Sequence, residues 1–251
     1  MAADSGTSER FDRLDALRGA AIVWMAAFHF SFDLNHAGLI WPPQNFYADP
    51  FWTGQRIAIV SSFLFCAGLA QAVALEGLSG ASLAARFTPR FWNRWAQVAG
   101  CALLVSLGSA WMFPRSWISF GVLHAIALMT ILLRVAAPLG RSLWLLGAVA
   151  ALLPLAIQHP FFDTRLTNWI GLTTHKPVTE DYVPLLPWLA ATLWGLAAGR
   201  WLLARHRHVL AGALPAALRP LAALGRWSLS FYMLHQPVLI GAITAWVAWR
   251  H

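Results

Sequence analysis

Residues 25–40 read MAAFHFSFDLNHAGLI, an apolar run interrupted by three ionisable side chains, His29, Asp33 and His36. Helical steps of four and then three residues keep side chains on one face, so the apolar background predicts a membrane helix with a polar stripe. Ionisable groups are costly in a bilayer and, where present, face a bundle interior or a wet cavity. The stripe therefore marks a candidate functional site and predicts an all-α, multi-pass bundle around it.

The rest of the chain agrees with an integral membrane protein. Of its 251 residues, 59% are hydrophobic and 11% charged, and the mean hydropathy is +0.58. Such a composition is too apolar for an ordinary soluble domain. Stretches long enough to span lie at about residues 16–34, 57–75, 96–113, 120–137, 143–157, 184–203 and 229–249. They predict about seven transmembrane helices in one domain, residues 10–251, behind a disordered polar leader, residues 1–9.

The net charge of +8 would suit a nucleic-acid binder, but the distribution of basic residues argues against one. With the N-terminus cytoplasmic, Arg10, Arg13, Arg18, Arg86, Arg90, Arg94, Arg134, Arg141, Arg200, Arg205, Arg207, Arg219 and Arg226 fall inside. Only Arg56, Arg115, Arg165, Lys176 and Arg250 fall outside. That asymmetry is the positive-inside pattern and places the C-terminus outside. A cleaved signal peptide ending near Met25-Ala26-Ala27 competes for the first segment, but the apolar stretch continues past that point and carries the stripe. Cys66 and Cys101 fall inside predicted spans and suggest neither a disulfide framework nor a redox motif. Two outer loops, about 35–56 and 158–183, are long enough to bind or cover something.

Two further histidines lie within predicted spans. His124, in SFGVLHAIAL, sits about one turn below the outer surface, a depth it shares with His29 and Asp33. His235, in LSFYMLHQPVLIG, lies nearer the cytoplasmic end, and the adjacent Gln236-Pro237 suggests a kink. These residues admit several roles: polar links between helices, a metal site, haem ligation, or acid–base chemistry. No compact HxxxH or CxxC pattern accompanies them, so no metal is expected. For acid–base chemistry a neutral imidazole accepts a proton, a carboxylate one turn away orients it, and Arg56 supplies a fixed cation at the outer entrance.

The motifs RFDRLDALRGAAIVWMAAFHFSFDL (10–34), RIAIVSSFLFCAGLA (56–70), FGVLHAIAL (120–128), DYVPLLPWLAATLWGLAAGR (181–200) and LGRWSLSFYMLHQPVLI (224–240) occur in this order. Together they resemble the bacterial DUF1624 membrane proteins, which are similar to the catalytic domain of heparan-alpha-glucosaminide N-acetyltransferase in the transmembrane acyltransferase superfamily. The resemblance implies an enzyme of the bacterial inner membrane that moves an acetyl group from cytoplasmic acetyl-CoA, as acyl donor, to an extracytoplasmic sugar amine or hydroxyl. Asn35-His36-Ala37 matches the local context of the family's catalytic histidine and nominates His36. His29 falls where the lysosomal relative has a functional asparagine. The shorter first outer segment leaves open an exchange of roles between the two histidines, and the acceptor does not transfer.

The expected mechanism has His29 or His36 as base, Asp33 orienting it, and His124 or Arg56 facing the developing charge, with His235 in support. Direct transfer and a covalent acetyl-histidine both stay open. For CoA phosphates the cytoplasmic candidates are Arg18, Arg226, Arg86, Arg90 and Arg94. The expected partners are the lipid bilayer and a sugar or glycan, with homo-oligomerisation open and no nucleic acid. A proton-coupled transporter or channel is the alternative function, and a haem protein a further one.

Overall fold

The protein is described from a computed structural model that covers residues 11–78 and 80–250. The leader at 1–9, Arg10 and His251 lie outside the described residues. Within them run helices α1 (Asp12–His36), α2 (Pro50–Ala74), α3 (Leu83–Arg86), α4 (Pro89–Met112) and α5 (Val122–Ala136). They are followed by α6 (Ser142–Ala156), α7 (Leu185–Arg205), α8 (Arg207–Ala211), α9 (Arg219–Arg226) and α10 (Ser228–Arg250). No strand occurs among the described residues; an isolated bridge pairs Phe120 with Tyr182. The fold is an all-α bundle, and each of the seven apolar segments read from the sequence is one of its long helices.

Four segments have the length and composition to cross a membrane: 50–74, 89–112, 122–139 and 228–250. The apolar α6 is shorter, at 15 residues. Helices α1 and α7 have the length without quite that composition. Local chemistry sets the helix starts. Asp49 accepts from the Phe51 amide ahead of α2, Thr88 accepts from the Phe91 amide ahead of α4, and each is followed by a proline that lacks only an amide the first turn does not need. At the start of α7 Leu186 is extended, as a residue before proline tends to be.

Helices α2 and α7 form the central pair; α6 packs on α7, α1 on α2, and α5 on α2, α4 and α7. The α2–α7 contact is a backbone approach. A Cβ added at Gly68 would stand 2.2 Å from the Thr192 carbonyl oxygen, and one at Gly195 2.3 Å from that of Phe65. Small residues allow this close packing where no water drives helices together. On the other side, α9 lies along α1, with the Leu221 backbone over Gly19 and the Asp15 backbone over Gly225. That docking delivers α10 beside α1. Only 6% of the apolar window of α10 is buried, and its one buried residue is a histidine, His235.

Candidate functional site

Two polar bridges join α1 to α10. His29 Nδ1 lies 2.8 Å from His235 Nε2, with the rings nearly parallel. One turn further along α1, Gln236 Nε2 donates to both oxygens of Asp33 at 3.0 and 3.1 Å. The spacing of the stripe sets this pattern, since residues four apart on α1 meet consecutive residues on α10.

Hydrogen-bond bookkeeping fixes the protons. His235 Nδ1 is 2.7 Å from the Tyr232 carbonyl oxygen, which can only accept, so Nδ1 carries the hydrogen. In the neutral ring Nε2 is then an acceptor, and His29 Nδ1–H donates to it. The remaining nitrogen, Nε2 of His29, is left with a lone pair. From α1 alone Asp33 is expected to orient His29. The structure gives that position to His235, while Asp33 is held by Gln236 and lies within electrostatic reach of His36.

The other predicted residues separate. His36 is exposed at the C-terminal end of α1, stacked on Phe32, beside a cavity of about 320 Å³ that Phe46 and Tyr47 also line. His124 does not join His29. Its Nδ1 accepts from the Gly121 amide at 3.2 Å, and its Nε2 lies 3.1 Å from Ser106 Oγ, which donates to the Ile118 carbonyl. With Nδ1 accepting, Nε2 carries the hydrogen, so both ring nitrogens are used, one in the turn that starts α5 and the other on Ser106 of α4. Arg56 stands near the loop between α6 and α7, within electrostatic reach of Asp181 and Lys176.

Asp181 is missed by a reading of ionisable groups within spans, because it lies in a loop. Its Oδ2 accepts from the Val122 amide at 2.8 Å and caps α5. Burial raises its pKa above the ordinary carboxylate value, against the amides and cations that favour the charge. Asp163 shifts the other way, because the Thr174 hydroxyl and amide hydrogen-bond to its carboxylate. Gln236 is also missed, since beside Pro237 it reads as part of a kink; a second polar residue next to an intramembrane histidine was the available signal.

A cavity of about 270 Å³ opens among α1, α2, α4, α5 and α10. Its lining on α5 runs from Val122 to Thr130, about 12 Å of helix. At the arginine-rich end it carries Arg18 and Arg94 with Gln71 and Ser228; further along the helices the lining is mostly apolar and includes Phe63 and Tyr232. Those two side chains also pack on the Met25, Phe28, Phe46 and Ile59 cluster, next to His29. One wall thus separates the cavity from the histidine pair.

Of the five arginines nominated for phosphates, Arg18 and Arg94 line this cavity. Arg18 is paired with Asp15 at 2.9 Å, whereas Arg94 donates to the neutral Gln97. Arg226 stands 4.0 Å from Asp12. Arg86 is spent on the carbonyls of Arg134 and Ala81, and Arg90 is exposed on α4. Arg134 itself is buried, bonded to Gln71 and lying over the Phe91 ring at 4.1 Å.

Fold and site together define a multi-pass helical membrane protein with a paired imidazole site and a separate cavity reaching the same wall. Residues 10–237 match the family described as heparan-alpha-glucosaminide N-acetyltransferase, catalytic. That match covers most of the chain, which therefore belongs to this family of membrane acetyltransferases. No curated protein and no solved structure matches the chain.

Proposed function

We propose that the protein takes the acetyl group of acetyl-CoA from the cytoplasmic side of a bacterial inner membrane and transfers it to a sugar amine or hydroxyl on the other side. The observation that carries this reading is the His29–His235 contact at 2.8 Å, because it leaves His29 Nε2 unprotonated and aimed by a partner that is itself fixed. A thioester is already an activated donor. The protein must then align donor and acceptor, remove one proton and stabilise an oxyanion.

In this reading the acyl arm of the donor enters the 270 Å³ cavity past Arg94 and Arg18, and its phosphates stay at the arginine-rich mouth. The thioester then reaches the wall formed by Phe63 and Tyr232, beside His29. His29 is preferred to His36 as base for that reason: seven residues of helix, about 10 Å, put His36 too far from the donor end. His36 lines the second cavity, where the acceptor enters, with Asp33 within electrostatic reach behind it. When His29 takes the acceptor's proton, its Nδ1–H still donates to His235, so no tautomer change is needed during transfer.

The test is transfer of labelled acetyl from acetyl-CoA to glucosamine and to cell-envelope sugars by purified protein in detergent or nanodiscs. Acetylated sugar formed by the wild type and lost in His29→Ala is the expected result. Absence of both CoA binding and acetyl transfer in folded wild-type protein would reject the proposal in favour of transport.

A further inference from the structure

We infer that the Tyr232 phenol is a further catalytic residue, donating a hydrogen bond to the thioester oxygen as that oxygen gains negative charge. The inference rests on the acyl-transfer reading above. It starts from an unsatisfied donor. Tyr232 is half-buried, and tyrosine hydroxyls in such places usually find a partner, yet this one makes no hydrogen bond among the described residues. Nor is it one of the sealed unpaired polar atoms, which are Asp12 Oδ1, Asn168 Oδ1 and Gln236 Oε1. The hydroxyl is therefore reachable, and the ring that carries it lines the 270 Å³ cavity.

Position supplies the second part. Tyr232 packs on the Leu64, Val122 and Leu123 group on one side and on the Met25, Phe28 and Ile59 group on the other. It belongs to the wall between the donor cavity and His29. Its backbone carbonyl also accepts from His235 Nδ1 at 2.7 Å. One residue thus sets the tautomer of the histidine relay through its main chain and offers a donor to the opposite cavity through its side chain. A donor held rigidly where charge develops contributes more than one that must reorganise.

The step balances as follows. The lone pair of the acceptor nitrogen or oxygen forms a bond to the acetyl carbon while its proton passes to His29 Nε2. The carbonyl π pair moves onto oxygen, where the Tyr232 O–H meets it. As the carbonyl re-forms, the C–S bond breaks and its pair leaves on the CoA sulfur, which takes a proton from water. His29 then returns its proton to solvent, so the enzyme ends unchanged.

Tyr232→Phe removes the hydroxyl while keeping the ring and the carbonyl that holds His235. Expected is a fall in kcat of about 10²–10³, the cost of one oxyanion donor, with the acetyl-CoA dissociation constant and the Tm unchanged. Equal kcat in Tyr232→Phe and an active wild type would overturn the inference alone; a wild type that neither binds acetyl-CoA nor transfers acetyl to glucosamine would overturn the reading beneath it. If Tyr232→Phe does not accumulate, fluorotyrosine at 232 preserves the shape and makes the phenol more acidic. A kcat that changes with fluorination while the acetyl-CoA dissociation constant stays put would then support the role, and an unchanged kcat would reject it.

Discussion

The α2–α7 and α1–α10 contacts hold the same bundle together by opposite means. At α2–α7 glycines let backbones meet, leaving no room for a side chain at Gly68 or Gly195. At α1–α10 the helices are joined through His29–His235 and Asp33–Gln236, and most of α10 faces outward. Close backbone packing gives rigidity but no chemistry. Side-chain bridges leave protons, lone pairs and adjacent space, at the cost of burying polar groups that must satisfy one another. On the proposed reading, function sits on the second contact and support on the first.

The largest effect should come from filling the first. Gly68→Leu or Gly195→Val must displace a backbone carbonyl, so destabilisation of about 3 kcal/mol or more is expected. Thermal unfolding in detergent should show little folded protein; a wild-type Tm would contradict the described packing. By contrast, His29→Ala should lower acetyl turnover by about 10²–10⁴ with CoA binding little changed, as expected for loss of a base, and should lower Tm less than the glycine substitutions, since only the donor to His235 is lost. His36→Ala should cost less than about tenfold, and the opposite order would move the base to His36.

The bridge itself can be separated from its bulk. His235→Gln can still accept from His29 through its amide oxygen, whereas His235→Phe cannot. A loss of about 10²-fold is expected for Phe, with a displaced pH–rate profile, and a smaller loss for Gln. Matching losses and profiles would make His235 a packing residue. At the cavity mouth, Arg94→Gln should weaken CoA binding about tenfold, the scale of one charge-assisted contact, against little change for Arg226→Gln, which stands beside Asp12 outside the cavity lining. Equal isotherms would remove Arg94 from the donor site.

The smallest effect concerns Asp181. Because burial raises its folded pKa, its contribution to stability is greatest below the ordinary carboxylate pKa and is lost as pH rises through the raised value. Asp181→Asn should therefore gain Tm relative to wild type at neutral pH and lose that gain near pH 4, with the α5 cap retained by the amide oxygen. A pH-independent difference would mean that Asp181 stays charged, offset by Lys176 and Arg56.

Much of this was legible in the chain. Apolar length marks all seven long helices, and the four-residue step places His29 and Asp33 on one face of α1, because covalent helix geometry fixes both. Depth counting gave His124 and His29 a common level and set His235 apart. That estimate treats α10 as starting at the membrane surface, whereas α9, docked along α1 over Gly19, carries its start into position beside α1. Nothing local to His124 announces that the Gly121 amide and Ser106 use up its nitrogens.

The sequence by itself determined the membrane class, the helices, the family motifs and the residues on each helical face, all properties of short spacings. Which side chains meet was decided only by the tertiary structure. His29 and His235 are 206 positions apart, and their contact depends on the packing of several intervening helices rather than on any local preference. The same holds for Tyr232, a membrane-helix aromatic in sequence, whose place between cavity and histidine pair exists only once α1, α2, α5 and α10 have assembled around it.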